Sequence, residues 1–257
     1  MTKVITLTNK KGGVGKTVTT INLAAALAQM NKKILGIDAD ERGNMTRCLL
    51  PLDIQDKYEK KPGSHPKSKH LDDLIHESTQ HNVDIIPAMN FTAAFDYLDK
   101  LLGTGLMHAL ESCHIEKYDY ILIDSPSEGM MSGNVLFASD TLIIPVESSF
   151  SIDLLPDMFN KIKFLKKHST PRINNVHILI TFFDPDTETG KQIRKQISKV
   201  RSDFENHVLD TEIPMDPALR DSANFNETIF TYDPKSKGAE AYMALAEELI
   251  RKLESDN

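Results

Sequence analysis

The sequence predicts an α/β fold in which helices cover both faces of a doubly wound, mostly parallel β-sheet. Short runs rich in Val, Ile and Leu alternate with segments whose apolar residues recur every three or four positions. The short runs are apolar throughout, which is typical of strands buried on both faces, and a glycine-rich turn joins the first run to the first helical segment.

In chain order, the runs VITL, KILGID, VDIIP, YILID, TLIIPV and VHILITFF supply the strands. The predicted strands are therefore 4–7, 33–38, 83–87, 120–124, 141–146 and 176–183. The apolar spacing between and after them predicts helices over 16–30, 92–102, 190–204 and 238–253.

Length and composition fit a single domain over residues 1–257, which is long enough to bury a sizeable core. One stretch breaks the alternation of strands and helices. Residues 52–69, LDIQDKYEKKPGSHPKSK, are polar, contain two prolines and a glycine, and show no periodicity. They predict an exposed loop.

Bulk properties disfavour several classes of protein. The longest apolar run, 21–30, is too short to span a bilayer, and the first residues lack the layout of a signal peptide. We therefore expect a cytoplasmic protein with no membrane partner. Cys48 and Cys113 are isolated, which disfavours a disulfide framework or a cysteine metal site. The net charge of −7 disfavours nucleic-acid binding over the whole surface but allows a local basic face.

Residues 9–17, NKKGGVGKT, form the glycine-rich turn between the first strand and the first helix. Glycines permit the turn and leave room for backbone N–H groups to point at phosphate oxygens, and the helix N-terminus adds the positive end of its dipole. In this context Lys16 would reach the β- and γ-phosphates and Thr17 would bind Mg²⁺. The predicted phosphate-binding segment is Gly12, Gly13, Val14, Gly15, Lys16, Thr17 and Val18.

The loop departs from the strict pattern GxxxxGK[ST], because Lys10 occupies the position of its first glycine. The form present, KGGVGKT, resembles the deviant Walker A loop of the ParA/MinD family of ATPases, in which a second lysine, here Lys11, precedes the glycines. The resemblance implies ATP and Mg²⁺ as cofactors and a homodimer that sandwiches two ATP molecules. Lys11 would then contact the partner's nucleotide, and its charge would offset the repulsion between facing triphosphates.

The segment KILGIDADERGNMT resembles switch I of the same family, DxDxQGNxT. This resemblance implies that Asp38 helps to hold the magnesium shell and that Asp40 orients the attacking water. With Lys11 and Lys16, Asp40 completes the predicted catalytic set. Arg42 stands where the family has glutamine, so the switch chemistry is expected to differ.

The segment YDYILIDSPSEGM resembles the family's Walker B strand and switch II. It implies that Asp124 binds Mg²⁺ through water, opposite Thr17. Ser127 replaces a proline of the family pattern, so we expect a less rigid switch II.

The later segment EIPMDPALRDSANFNETIFTYDPKSKGAEAY resembles the closing segment of the family, which implies adenine contacts from Pro214 and Met215. The family often has basic residues after this proline and where Ala218 stands. Arg220, one turn further on, is the expected substitute. The resemblance runs from residue 3 to about 250, with 52–69 unmatched.

The segment GKQIRKQISKVRSDF predicts a basic amphipathic helix, with Ile193, Ile197, Val200 and Phe204 as its apolar stripe. From residue 157 to residue 201 there are ten Lys and Arg but four Asp and Glu. A solvated basic face is the simpler interpretation. In ParA proteins, however, this helix contributes to sequence-independent DNA binding. The DNA-binding residues implied for this chain are Lys191, Arg194, Lys195, Lys199 and Arg220.

Together these features indicate a plasmid- or chromosome-partition ATPase with weak intrinsic activity. Its ATP dimer would bind double-stranded DNA non-specifically on the nucleoid, and a ParB-type centromere-binding partner would stimulate hydrolysis. Longer members carry an N-terminal DNA-reading domain. Because the first strand begins at residue 3, we expect none here.

Four alternatives stay open. A MinD-like positioning ATPase would act on a membrane or another cargo, but AEELIRKLESDN lacks the cation-rich face of a lipid-binding helix. A redox enzyme like the nitrogenase iron protein would need cysteines in switch II. A bacterial tyrosine kinase would need a tyrosine-rich tail. A scaffold that binds ATP without turnover is consistent with Arg42 and Ser127.

Overall fold

The structure, a computed structural model, describes residues 2–60, 70–88, 104–128, 131–204 and 206–255. Its strands are β1 (Lys3–Leu7), β2 (Ile34–Asp38), β3 (His76–Glu77), β4 (Val83–Ile86), β5 (Tyr120–Asp124), β6 (Thr141–Val146), β7 (Asn175–Phe183) and β8 (Val208–Pro214). They form one eight-stranded sheet in the order β3-β4-β2-β5-β1-β6-β7-β8. All neighbouring pairs are parallel except β3 with β4, so the predicted mostly parallel sheet is confirmed.

The described helices are α1 (Lys16–Gln29), α2 (Asn44–Leu49), α3 (Leu52–Lys60), α4 (Gly105–Glu111), α5 (Met131–Ala138), α6 (Ser149–Asp153), α7 (Leu155–His168), α8 (Glu188–Asp203), α9 (Pro217–Asn224), α10 (Ile229–Tyr232) and α11 (Lys237–Ser255). A 3₁₀ turn covers Leu71–Leu74. Among the described residues, no helix combines the length and the apolar character that crossing a membrane requires.

Helices cover both faces of the sheet. Successive side chains of a strand point in opposite directions, so a buried strand can pack against helices on both faces. Ile5 and Leu7 of β1 pack in a core cluster with α1 and α11, whereas Val4 packs with α4 and α5 on the other face. Further along that second face, β6 and β7 pack against α7 and α8. The doubly wound arrangement predicted from the apolar runs is therefore confirmed.

The six predicted strands are all present, with ends within one residue of the prediction. The predicted helices 16–30, 190–204 and 238–253 correspond to α1, α8 and α11. The predicted helix 92–102 lies outside the described residues. The short strand β3 and the strand β8 were not predicted.

The expectation of a loop over 52–69 was wrong for its first half, because α3 covers Leu52–Lys60. The single carbonyl oxygen of Pro51 accepts hydrogen bonds from the N–H groups of both Ile54 and Gln55. The Gln55 amide donates to the Leu50 carbonyl at 2.6 Å, and Ile54 packs against the core. A segment free of Gly and Pro can form a helix from these local bonds without a broad apolar stripe. Residues 61–69 lie outside the described residues.

We expect Leu245→Ala to lower the free energy of unfolding by about 2–5 kcal/mol, because it leaves a cavity between α11 and the sheet. The Leu245 side chain is 0% exposed in the core cluster shared with α1. The matched control is Leu52→Ala, since Leu52 is 76% exposed and its truncation should change stability by no more than about 0.5 kcal/mol. Urea titration measures both variants, and equal losses would contradict the packing described here.

Candidate nucleotide-binding site

The loop between β1 and α1 uses glycine where the backbone requires it. Gly13 and Gly15 have φ values of 78° and 89°, in the left-handed region that strains other residues. A Cβ at Gly15 would also lie 3.1 Å from ring carbons of Phe182. Gly15 is the N-cap of α1 and provides no side-chain hydrogen bond, so the first turn of a 14-residue helix offers its N–H groups to an anion.

Buried polar side chains hold this loop in place. Asn9 donates through Nδ2 to the Pro145 carbonyl at 2.8 Å, and its Oδ1 accepts from the Lys11 N–H at 2.9 Å. On the other side, the Thr181 hydroxyl donates to the Val14 carbonyl at 2.9 Å. The loop is thus bonded to the ends of β6 and β7, which fixes its shape before any ligand binds.

The Lys16 side chain is buried, and within the described part of the chain its ammonium group has only neutral oxygens at hydrogen-bonding distance. Nζ donates to the carbonyls of Asn9 and Lys11, each at 3.1 Å, and to the Ser127 hydroxyl at 2.7 Å. Burial lowers the pKa of Lys16, and the charges of Asp124 and Asp40 oppose this effect. A phosphate group would supply the anionic partner that these contacts lack.

Two buried carboxylates lie side by side at the carboxyl end of the sheet. Asp38 ends β2 and Asp124 ends β5, and the two residues are paired in register. Thr46 donates to Asp38 Oδ2 twice, through its N–H at 2.8 Å and its hydroxyl at 2.7 Å. By contrast, both Asp124 oxygens are buried without a hydrogen bond of normal geometry in the described structure.

Negative charge on this carboxylate pair is unfavourable. Burial, partly offset by the Thr46 bonds, raises the pKa of Asp38 to about 6. Burial and then the Asp38 charge raise the pKa of Asp124, while the nearby Thr17 hydroxyl lowers it. Unsatisfied carboxylate oxygens next to a hydroxyl are ligands suited to Mg²⁺. These residues therefore fit a divalent cation, which Thr17 and Asp124 would hold with the help of Asp38.

Asp40 lies in a turn just beyond β2. Its Oδ1 accepts from the Arg42 N–H at 3.1 Å, its carbonyl accepts from the Gly43 N–H at 2.9 Å, and Gly43 has a φ of 65°. The Asp40 charge acts on Lys16, so the turn lies near the phosphate loop. The structure thus brings Asp38, Asp40 and Asp124 to one end of the sheet, as the sequence predicts.

Lys11 is engaged within its own chain. Its ammonium group forms an ion pair with Glu147, donates to the Ser148 hydroxyl at 2.9 Å, and lies 5.9 Å from the centre of the Phe150 ring. These partners follow β6. The predicted contact with a second subunit would require Lys11 to leave them, and this role stays a prediction.

The predicted adenine segment lies at the same end of the sheet. Pro214 ends β8 in register with Phe183, and the Met215 N–H donates to the Phe183 carbonyl at 3.0 Å. The neighbouring Phe182 ring contacts Gly15, and the Met215 side chain is exposed. The side chain of Val18 packs partly buried against the core, so any nucleotide contact there would come from its backbone.

Comparisons with known proteins identify the family. A family model described as an AAA domain matches residues 2–178. The sporulation initiation inhibitor protein Soj of Bacillus subtilis (strain 168) is 35% identical over 267 aligned residues, which cover 97% of this chain and 98% of that protein. The chain belongs to the ParA/Soj family of P-loop ATPases.

Two further matches agree with this assignment. The chromosome partitioning protein ParA of Myxococcus xanthus (strain DK1622) is 32% identical over 260 residues, covering 97% of this chain and 88% of that protein. The crystallised septum site-determining protein MinD of Pyrococcus horikoshii OT3, complexed with Mg-ADP, has a TM-score of 0.74 at 26% identity, and the match covers 97% of this chain and 96% of that one.

The basic helix of this ParA/Soj family member is α8, and its predicted apolar stripe is confirmed. Ile197 and Val200 are buried, and Ile193 and Phe204 pack partly buried beside them. Lys195 and Lys199 are exposed. The other predicted cations have local partners: Lys191 pairs with Glu188 at 2.5 Å, Arg194 lies 5.7 Å from the Phe183 ring centre, and Arg220 pairs with Asp221 at 3.6 Å.

The two cysteines lie on opposite faces of the sheet, Cys48 in the cluster with α1 and Cys113 in the cluster with α4. Burial raises the pKa of Cys48 to about 12, so its thiol stays protonated. These positions do not support the redox alternative.

Sequence reasoning missed several polar residues of the site. Asn9 and Thr181 hold the loop, Thr46 supports Asp38, and Glu147 binds Lys11. Asn9 and Glu147 lie just beyond the ends of β1 and β6, and a polar residue soon after a buried strand is the signal that could have found them. Thr181 lies within β7 and Thr46 within α2, where this signal does not apply.

We expect the metal-free and nucleotide-free protein to lose stability as the pH rises through the pKa of Asp38, from the ordinary 3.8 toward about 6 in the folded state. A raised carboxyl pKa means that the folded state binds the proton more tightly than the unfolded state, so deprotonation favours unfolding.

Asp124→Asn removes one of the two facing charges. It should therefore stabilise the metal-free protein at pH 7.5 by on the order of 2 kcal/mol, with the gain shrinking toward pH 5.

Chemical denaturation in EDTA across this pH range measures the effect. Glu247→Gln is the control, because Glu247 is exposed on α11. A variant Asp124→Asn that is less stable than the parent at pH 7.5 would show that another cation already balances the pair.

Proposed function

We propose that this chain is an ATP-dependent DNA partition ATPase. ATP and Mg²⁺ assemble a dimer, the dimer binds DNA without sequence specificity, and hydrolysis stimulated by a ParB-type centromere-binding partner releases it. The observation that carries the proposal is the pairing of a buried Lys16 that lacks an anion with an Asp124 that lacks a cation. The identity with Soj and ParA proteins supports the same conclusion.

Nucleotide binding follows from these charges. The phosphates would lie against the first turn of α1, with Lys16 donating to the β- and γ-phosphates. Thr17 and Asp124 would hold Mg²⁺ beside Asp38, and Mg²⁺ would neutralise charge on the phosphate oxygens. The relative MinD from Pyrococcus horikoshii was crystallised with Mg-ADP, which supports this choice of ligands.

Hydrolysis needs a water molecule aligned with the γ-phosphate. Asp40 is the carboxylate of the site that is partly exposed to solvent, so it can accept a hydrogen bond from that water. Asp38 and Asp124 are buried and engaged with Thr46 and with the cation site. Asp40 is therefore assigned to orient the water, and a single such residue agrees with slow intrinsic turnover.

Dimerisation depends on Lys11. In the isolated chain it binds Glu147, and in the ATP dimer it would exchange this partner for the triphosphate of the other subunit. ADP lacks the γ-phosphate and offers a weaker attraction. ATP would therefore have to attract the Lys11 ammonium group more strongly than Glu147 does.

DNA binding is assigned to the exposed face of α8. Lys195 and Lys199 lie one helical turn apart and both point away from the buried Ile197 and Val200. Each phosphate that they neutralise releases counterions, so pairing two subunits doubles the contacts and raises affinity steeply. A monomer with few such contacts would bind weakly at physiological salt.

The alternative of a membrane-cycling ATPase has less support. Leu249 and Leu253 of α11 are buried in the core cluster with α1, so the apolar face of this helix is already covered. Lipid insertion would require that face to be free. Co-sedimentation with anionic liposomes in the presence of ATP tests the alternative, and pelleting would favour it.

A DNA-shift titration with ADP, ATP and a non-hydrolysable analogue tests the proposed cycle. We expect the protein to retain DNA only in the presence of a triphosphate.

Lys16→Ala should lose nucleotide binding altogether, because it removes the only buried ammonium of the described loop. Lys11→Ala should bind ATP with nearly unchanged affinity but neither dimerise in light scattering nor retain DNA. Dimerisation of the Lys11 variant at the parent's ATP concentration would contradict the assigned role.

The double variant Lys195→Gln/Lys199→Gln should weaken DNA binding by the ATP form while leaving ATP affinity unchanged. Each lost phosphate contact should remove about 0.9 from the slope of log K against log salt. The control is Lys33→Gln/Lys117→Gln, because both lysines are exposed at the opposite edge of the sheet, before β2 and β5. Equal losses in the two double variants would show that binding follows net charge rather than α8.

A further inference from the structure

A second cationic pocket lies next to the phosphate loop, between switch II and α7. It has a volume of about 280 Å³ and is lined by Thr8, Lys10, Ser127, Glu128, Leu136, Met158 and Lys161. Neither Lys10 nor Lys161 forms an ion pair or hydrogen bond with another residue that the structure describes. The pocket therefore holds two ammonium groups and one carboxylate, from Glu128.

The two lysines act on each other. Burial lowers the pKa of Lys161, and the charge of Lys10 adds to this effect. Lys161 is partly buried and Lys10 is exposed, and both line the pocket. Their like charges repel each other, and an anion between them would relieve the repulsion. A small oxyanion could accept from both ammonium groups and from the hydroxyl groups of the lining.

One side chain separates this pocket from the proposed position of the γ-phosphate. The Ser127 hydroxyl accepts from Lys16 Nζ at 2.7 Å and also lines the pocket. Ser127 Oγ lies 3.9 Å from where a Cβ on Gly12 would stand, so it contacts the phosphate loop on that side. Ser127 therefore connects Lys16 with the lining of the pocket.

We infer that this pocket, held by Lys10 and Lys161 with Ser127 at its entrance, is a binding site for inorganic phosphate leaving the nucleotide site. The inference rests on the proposed hydrolysis, in which water attacks the γ-phosphorus, the bond to the ADP oxygen breaks, and phosphate and ADP separate. The pocket would hold inorganic phosphate after the phosphate leaves Lys16. Phosphate binding in the pocket would therefore be part of product release.

The test is a calorimetric titration of inorganic phosphate into the Mg-ADP form of the full chain. Lys161→Gln should weaken phosphate binding by about tenfold, because it removes one charge-assisted contact. Lys10→Gln should have a similar effect, and thermal unfolding checks that both variants are folded. The matched control is Lys163→Gln on the same helix, because Lys163 is exposed and does not line the pocket.

Phosphate affinity that is equal in the parent, Lys10→Gln and Lys161→Gln would overturn the inference, even if ATP is hydrolysed normally. A second readout is phosphate release, followed with a fluorescent phosphate sensor and compared with the chemical step in quenched samples. The two lysine variants should change release by more than threefold and leave the chemical step unchanged. Loss of phosphate binding in the variants of a chain that hydrolyses no ATP would support the pocket and refute the proposed function.

Discussion

The arrangement of the whole site depends on an imbalance of buried charge at the carboxyl end of the sheet. Lys16 on one side and the pair Asp38 and Asp124 on the other are each buried without a full counter-charge. Parallel strands end at a common edge, so β2 and β5 deliver their carboxylates together, opposite the start of α1. Such an arrangement costs stability in the empty protein, and Mg²⁺ with a nucleotide would remove that cost. The fold therefore couples its own stability to ligand binding.

The sequence was sufficient to predict six of the eight described strands and the positions of Lys16, Asp38 and Asp124, because apolar runs locate strand ends and strand ends locate the site. It was not sufficient for α3, where local bonds from Pro51 and Gln55 form a helix without an apolar stripe. Partners distant along the chain, such as Lys11 with Glu147, were also missed. Nothing local in a sequence records which strand end faces which loop, and only the order of strands in the sheet decides it.

One departure from the strict phosphate-loop pattern and one from the family's switch II pattern meet at one place in the structure. Lys10 stands where the strict loop has glycine, and Ser127 stands where switch II has proline. Ser127 accepts from Lys16 and lines the pocket that Lys10 and Lys161 share. A proline at this position could not accept that bond through its side chain. The two changes thus extend the cationic region beyond the phosphate loop, which a comparison of each motif by itself would not reveal.

In the proposed dimer, Glu147 and the partner's triphosphate would compete for Lys11, and the strength of their attractions can be compared. In the isolated chain, the Lys11 and Glu147 side chains are 31% and 18% exposed, so their ion pair is partly screened. Pairs of this kind contribute about 1 kcal/mol or less. A triphosphate places several charged oxygens within reach, so it would outcompete Glu147, whereas a diphosphate that ends short of the partner's lysine would not. In the proposed dimer, Glu147 would therefore be weak enough to yield to ATP and strong enough to keep Lys11 occupied without it.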